Sequence, residues 1–470
     1  MPTECGTSQL EFQGARGKRV EARFDAGRTS SDGGLLLLRE LEKRRGIVAR
    51  FARCFTDHRR PELIEHSVEE LLLQRVLGIV VGYEDLNDHD KLRDDPLLAI
   101  ASGKADPLGE GRRARDRGHG LAGKSTLNRL ELTPADANAQ SRYKKVVYDG
   151  AAIDRFFVDV FLDSHGEQPT EIILDLDATD DPIHGSQEGR FFHGYYGHYC
   201  YLPLYIFSGP HLLLARLRRA DIDACSGALE EVERIVGHIR QRWPDVKIVL
   251  RADSGFARDD LMTWCEANAV HFIFGLARNK RLEGMLADDM AAVRIEQASS
   301  GKPTRRFKEL RYQTIDSWTR ERRVVGKAEQ LVGKANPRFV VTSLAESEWA
   351  TRALYEDLYC ARGDMENRIK EQQLDMFADR TSTGTMRANQ LRLWFSSLAY
   401  VLATELRRLG LKDTELEKAQ CGTIRNRLLK VAAIVTISVR RVYVSLSSVF
   451  PFQQLFAKIL KRLQGVTAMT

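Results

Sequence analysis

Ile172-Ile-Leu-Asp-Leu-Asp177 and Lys247-Ile-Val-Leu-Arg-Ala-Asp253 are two short apolar runs, each ending on an aspartate. Both read as strands. Working outward, Tyr199 to Phe207 and His211 to Arg218 read as two more strands, and Gly227 to Trp243 as an amphipathic helix. A second helix, Ala257 to Asn268, and a last strand, Val270 to Leu276, complete the set. The predicted order is three strands, helix, strand, helix, strand.

That is the order of an α/β, ribonuclease-H-like fold, in which acidic residues end strands one and four and a third sits on a late helix. Asp177 and Asp253 occupy the first two places. Glu366 occupies the third, in a helix reading Tyr359-Cys-Ala-Arg-Gly-Asp-Met-Glu366. At the α-helical pitch, Tyr359 and Gln373 each fall about 20° from Glu366, and Arg362 about 40°. Tyr359, Arg362, Glu366 and Gln373 therefore share one stripe. Three carboxylates of this kind can hold two divalent ions ~4 Å apart for attack on a phosphodiester. Arg362 is suited to grip a neighbouring phosphate, and Tyr359 to donate to another or to stack.

Along its length the chain is expected to divide into a mainly helical N-terminal region (1–165), this core (166–280 and 338–385), a β-strand insertion (281–337) and a helical C-terminal region (386–470). In the first, the Ser30-Ser-Asp-Gly-Gly34 turn offers caps for a helix from Leu35 to Arg53. Further helices are predicted at Val68 to Tyr83, 124 to 131 and 134 to 163. Asn389 to Leu409 is the clearest amphipathic element of the last region.

The formal charge is only +6 over 470 residues, so its distribution matters more than its sum. Residues 301–338 carry 11 Lys or Arg against 4 acids, and residues 405–470 carry 12 against 4. Both stretches suit a phosphate backbone. The seven cysteines (Cys5, Cys54, Cys200, Cys225, Cys265, Cys360, Cys421) form no C-x-x-C pair, which argues against a disulfide framework or a zinc ribbon. The longest apolar run, Val431 to Val439, is far shorter than the ~20 residues of a membrane span. A soluble, cytoplasmic protein is expected.

Three phrases, Asp175-Leu-Asp-Ala-Thr-Asp-Asp-Pro-Ile-His-Gly185, Arg251-Ala-Asp-Ser-Gly-Phe256 and Tyr359 to Lys370, resemble the transposases of bacterial insertion sequences. The branch in question is the cut-and-paste one, with an Asp-Asp-Glu triad, a β-strand insertion and a Y-x2-R-x3-E-x6-K signature. The resemblance spans about residues 10–460. It implies Asp177, preferred over Asp175 because Ala-Thr follows it, together with Asp253 and Glu366, as catalytic residues and ligands of two Mg²⁺ ions, with Mn²⁺ as an alternative. The signature lysine falls on Gln373, and Lys370 is its candidate substitute. DNA contacts are thus implied at Tyr359, Arg362, Lys370 and Gln373, and a base-stacking role at Trp318, the tryptophan of the insertion.

The family further implies a dimer on the duplex DNA of terminal inverted repeats, cleavage through a hairpin, joining to target DNA, and association with the bacterial nucleoid. Two other readings are a nuclease of the same fold without strand transfer and a catalytically decayed DNA-binding protein. Two motifs invite different functions and are set aside. Gly118-His-Gly-Leu-Ala-Gly-Lys-Ser125 has the letters of a phosphate loop, but an Arg-rich loop precedes it instead of a buried strand. His184, His193 and His198 match no familiar zinc spacing.

Overall fold

Strands one and four are apolar on both faces, and such strands are stable only at the centre of a sheet covered on both sides. The computed structural model, which describes residues 9–465 and so leaves Cys5 outside, places them there. Glu171–Ala178 runs parallel to Lys247–Ala252, and that strand runs parallel to His271–Leu276. On the other side Leu204–Ser208 lies antiparallel to the first strand, and His211–Arg216 antiparallel to it in turn. In chain numbering the order is three, two, one, four, five. The second strand is shorter than the alternation predicted. His198–Tyr201, with Pro203 just beyond it, turns away into a separate small sheet with Asp181–Pro182 and Phe191–His193. Proline has no amide to continue a ladder.

The segment after strand five extends this sheet. Arg338–Thr342 pairs antiparallel with strand five, Arg322–Leu331 with that strand, and Thr304–Tyr312 at the far edge. Two helices, Lys280–Met285 and Ala287–Ser300, precede these strands. The β-rich insertion expected from the sequence did not include them; the second buries only Val293, so its apolar periodicity is weak.

Three of the basic residues of 301–338, Arg322, Arg323 and Lys327, prove to be internal. Arg322 bonds Asp259 at 2.6 Å and Glu266 at 2.9 Å, and Arg323 bonds Glu309 at 2.6 Å. Lys327 bonds Glu329 at 2.6 Å. These charges sit on a buried strand and are matched by acids within reach, so they are not offered to a phosphate backbone.

By internal contacts the chain forms two units, Asp149–Ser397 and the remainder, which runs to Tyr148 and resumes at Leu398. The sequence reading put these breaks at 165 and 385. The second unit combines sequence-distant segments. Its helices include Val68–Val80, opened by a Ser67–Glu70 capping box, and Gln453–Leu463, which buries Leu455, Phe456, Ile459 and Leu463. The single helix predicted over 35–53 is two, Leu35–Arg45 and Ile47–Ala52, because Gly46 is left-handed (φ 58°) and the Glu42 carboxylate caps the second through the Val48 and Ala49 amides. The C-terminal region is not wholly helical. Ala433–Ile437 and Val442–Leu446 pair as strands, with Thr29–Ser30 beside them, as their β-branched alternation favours. The described cysteines are free thiols, Cys360 exposed and the others buried. No helix among the described residues is long and apolar enough to cross a membrane.

The turn at Gly33-Gly34 was expected to cap a helix; its glycines instead permit close backbone approach. Gly34 donates to the Leu429 carbonyl at 3.0 Å, and a Cβ on Gly34 would lie 2.3 Å from the Leu429 Cα. Gly34→Ala is expected to destabilise this unit by roughly 1–3 kcal/mol, read as a lower urea midpoint.

His89 sets an acid limit in the same unit. The Gln74 amide is oriented by the Ala122 amide and carbonyl (3.0 and 2.7 Å), so its NH₂ donates to His89 Nδ1 at 3.1 Å. Nε2 then carries the proton, buried without a partner. Burial, then Arg75, pushes the imidazole pKa down to about 3. A His with a depressed folded pKa gives stability that is complete above about pH 6.5 and lost as pH falls toward 3. Melting temperature should therefore fall less steeply between pH 6.5 and 4 in His89→Leu than in the wild type, whatever the baseline change.

Candidate active site

Parallel register brings two of the three acids side by side. Leu176 pairs with Ala252, so Asp177 and Asp253 each come one residue after a matched pair, at the carboxyl ends of neighbouring strands. Ligand sites of open α/β sheets gather at such ends. Asp253 begins a tight turn, accepting from the Gly255 amide at 2.8 Å, and Asp177 accepts from the Ala178 amide at 2.9 Å. Asp175, on the same face of the strand, is otherwise engaged. Arg251 holds it through two bonds of 2.5 and 2.8 Å in a buried pair.

The third acid arrives on a helical run of changing pitch. Leu354–Tyr359 is a π-helical turn, Cys360–Arg362 a 3₁₀ turn, Gly363–Lys370 α-helical, and Glu371–Asp375 π-helical again. Such interruptions recur at functional sites because they re-aim side chains. Arg251 also donates to the Leu358 carbonyl at 2.6 Å, fixing this run against strand four. Arg362 then stands between acids, 2.6 Å from Glu366 and 3.6 Å from Asp177.

Asp177 is the most perturbed of the group. Burial raises its pKa to about 7, with Arg362 opposing the rise and Asp253 and Glu366 adding to it. The mutual influence of these charges places them in one electrostatic site. Among the described residues no three His, Cys, Asp or Glu side chains form a ready-made metal cage. Here the guanidinium of Arg362 answers the charge of two carboxylates. The donor set is nonetheless three hard carboxylates, Asp177 and Asp253 partly buried and Glu366 exposed, the chemistry that suits Mg²⁺ or Mn²⁺.

Tyr359 faces the same place, its pKa raised by burial. Asp253, Tyr359 and Arg362 line an open cleft of about 500 Å³ with Arg278 and Arg338. These two arginines were not singled out from the sequence. The signal was available in their positions, just after strand five and at the start of the strand paired with it.

The other sequence candidates disperse. Gln373 donates to the Asp180 carbonyl at 2.9 Å, since the π-turn after Lys370 carries it off the regular stripe. Lys370 is exposed. Trp318 is buried at 6 % exposure, edge-on to Tyr312 and with Arg322 over its ring, and in this packing presents no free face to a base. His198 bonds Asp180 at 2.8 Å, and His193 packs on Tyr196. The exposed aromatic surface lies instead on the small sheet following Asp177, at Phe192 and Tyr195 (50 % and 87 % exposed).

Gly275 makes room for this arrangement. A Cβ there would lie 2.6 Å from the Tyr359 hydroxyl and 2.9 Å from the Ser254 amide. Gly275→Ala is expected to displace both and to cut phosphodiester cleavage by about 10²-fold, with the protein still folded by circular dichroism.

A search of curated proteins finds no match to the chain. The model of one family, Transposase DDE domain group 1, matches residues 12–468. That span includes both strand-end aspartates and the helical run bearing Glu366, and the chain belongs to this family of DDE transposases.

Proposed function

We propose that this transposase binds the terminal inverted repeats of an insertion sequence, cuts its ends in a metal-dependent reaction at Asp177, Asp253 and Glu366, and joins them to target DNA. The observation that supports this reading is Arg362, paired with Asp177 and Glu366 and lining one cleft with Asp253, beside the carboxyl ends of two parallel strands. The strand order three-two-one-four-five, with strand two antiparallel, supports a ribonuclease-H-like core.

Two Mg²⁺ ions, held by the three carboxylates, would supply an activated water or 3′-hydroxyl and neutralise the leaving oxygen. The chain's own residues do the rest. Arg362, paired here with Asp177 and Glu366, would be released where cations occupied those carboxylates, and its planar fork suits a DNA phosphate. Arg278 and Arg338 line the path of the strand, and Tyr359 donates to it or stacks on it. Gln373, through Asp180, steadies the segment leaving Asp177. For a hairpin, the extruded base has exposed rings at Phe192 and Tyr195 to stack on. A dimer on two DNA ends completes the proposal.

Asp253→Asn keeps the shape of the turn and removes one charge. It is expected to reduce Mg²⁺-dependent cleavage and strand transfer of end-labelled inverted-repeat DNA by about 10³-fold or more, while DNA affinity changes by less than about threefold. Persisting cleavage would assign the chemistry elsewhere. Cleavage without joining in the wild type would make the protein a nuclease.

A further inference from the structure

We propose that a cavity in the unit containing the N-terminal segment, lined by His66, Arg93 and Arg112, is a binding pocket for a single phosphate group. It lies apart in sequence from the acids of the candidate active site, between residues 59 and 146. Seven cationic side chains line it against two carboxylates, Glu65 and Asp116, a net charge of +5.

Local pairing accounts for only part of that excess. Arg59 bonds Asp57 at 2.7 Å, Arg112 bonds Glu65 at 2.7 Å, and Arg115 bonds Asp116 at 2.8 Å. Arg93 and Lys145 have no ion pair among the described residues, and Arg129 lies over the Tyr143 ring at 5.2 Å. Three nitrogens at the pocket have no partner although buried: His66 Nε2, Arg93 Nε and Arg112 Nε. His66 is itself only 4 % exposed. Buried polar atoms without a partner are rare, because each forfeits its hydration without replacement, and the two arginine Nε groups among these can only donate. A tetrahedral oxyanion with several acceptor oxygens is the group that satisfies donors converging from different sides.

Arg112 is already oriented. Its Nη1 donates to the His119 carbonyl at 2.7 Å and the Leu121 carbonyl at 3.2 Å and its Nη2 to Glu65, so little side-chain entropy is left to lose on binding. The volume, about 190 Å³, is below the ~300–1,000 Å³ of pockets that enclose whole small molecules. It suits a phosphate group whose remainder stays outside. The wall includes Leu121 and Gly123, from the stretch whose letters imitate a phosphate loop. That stretch would thus meet a phosphate through side chains across the cavity rather than through a nucleotide-binding turn.

The phosphate can belong to a DNA strand or to a free phosphate ester, and the DNA source rests on the transposase reading. The first arm of the test follows melting temperature with inorganic phosphate against chloride at matched ionic strength. Wild-type protein is expected to gain about 5 °C near saturation, and His66→Leu, Arg93→Gln and the rim variant Arg129→Gln to lose most of that gain. Because Arg129 is exposed, its replacement leaves the core untouched should His66→Leu fail to fold. The second arm measures duplex DNA affinity at fixed salt. A loss of about tenfold in folded variants assigns the phosphate to DNA, and an unchanged affinity in variants that have lost the phosphate response assigns it to a free ester. No phosphate-specific shift in the wild type, or equal shifts in all variants, overturns the pocket. Loss of cleavage activity alone would bear on the transposase reading and leave this result standing.

Discussion

The buried pair between Arg251 and Asp175 is the interaction on which the site depends. It joins strand four to strand one at the step before the candidate acids, and the same guanidinium holds the Leu358 carbonyl of the run that carries Glu366. Three elements remote in sequence are fixed by one side chain. Burial raises the Asp175 pKa, and the bonds from Arg251 oppose that rise. Breaking such a pair by removing one partner leaves an uncompensated charge and costs about 3–5 kcal/mol. The pair also explains why only one of two nearby aspartates is free for chemistry, since Asp177 is left to face Arg362.

Much of this arrangement was legible in the sequence because it rests on period and on strand ends. Apolar runs ending in Asp177 and Asp253 name a pair of central strands, and parallel register brings their ends together. The family phrases then pointed to Glu366. What the sequence hid depends on pitch and on partners remote in sequence. Regular α-helical geometry puts Gln373 on the stripe of Glu366, but the π-turn Glu371–Asp375 alters the phase, and Gln373 reaches the Asp180 carbonyl. Net charge was a poor guide to the insertion, because Asp259 and Glu266, the acids that match Arg322, come from outside it. Trp318 followed a family habit, and its burial is set by Tyr312 and Arg322.

Charge is handled differently in the two units. Around the candidate active site acids and cations are matched, and Arg362 holds the place of positive charge between Asp177 and Glu366. In the other unit cations are locally in excess. Cations line the cavity at His66, and a groove bounded by Lys412, Lys458 and Lys461 adds to them. A protein that acts on a polyanion benefits from both arrangements, since bound cations answer the first and phosphates the second.

The central claim is that Arg362 and divalent cations exchange places at the carboxylates. A crystal structure with Mn²⁺ and a cleaved element end, read by anomalous scattering, tests it most directly. The account predicts manganese peaks bounded by Asp177, Asp253 and Glu366, with Arg362 withdrawn onto a DNA phosphate. Manganese bound elsewhere, or Arg362 still paired with Glu366 while the DNA is cut, would contradict it.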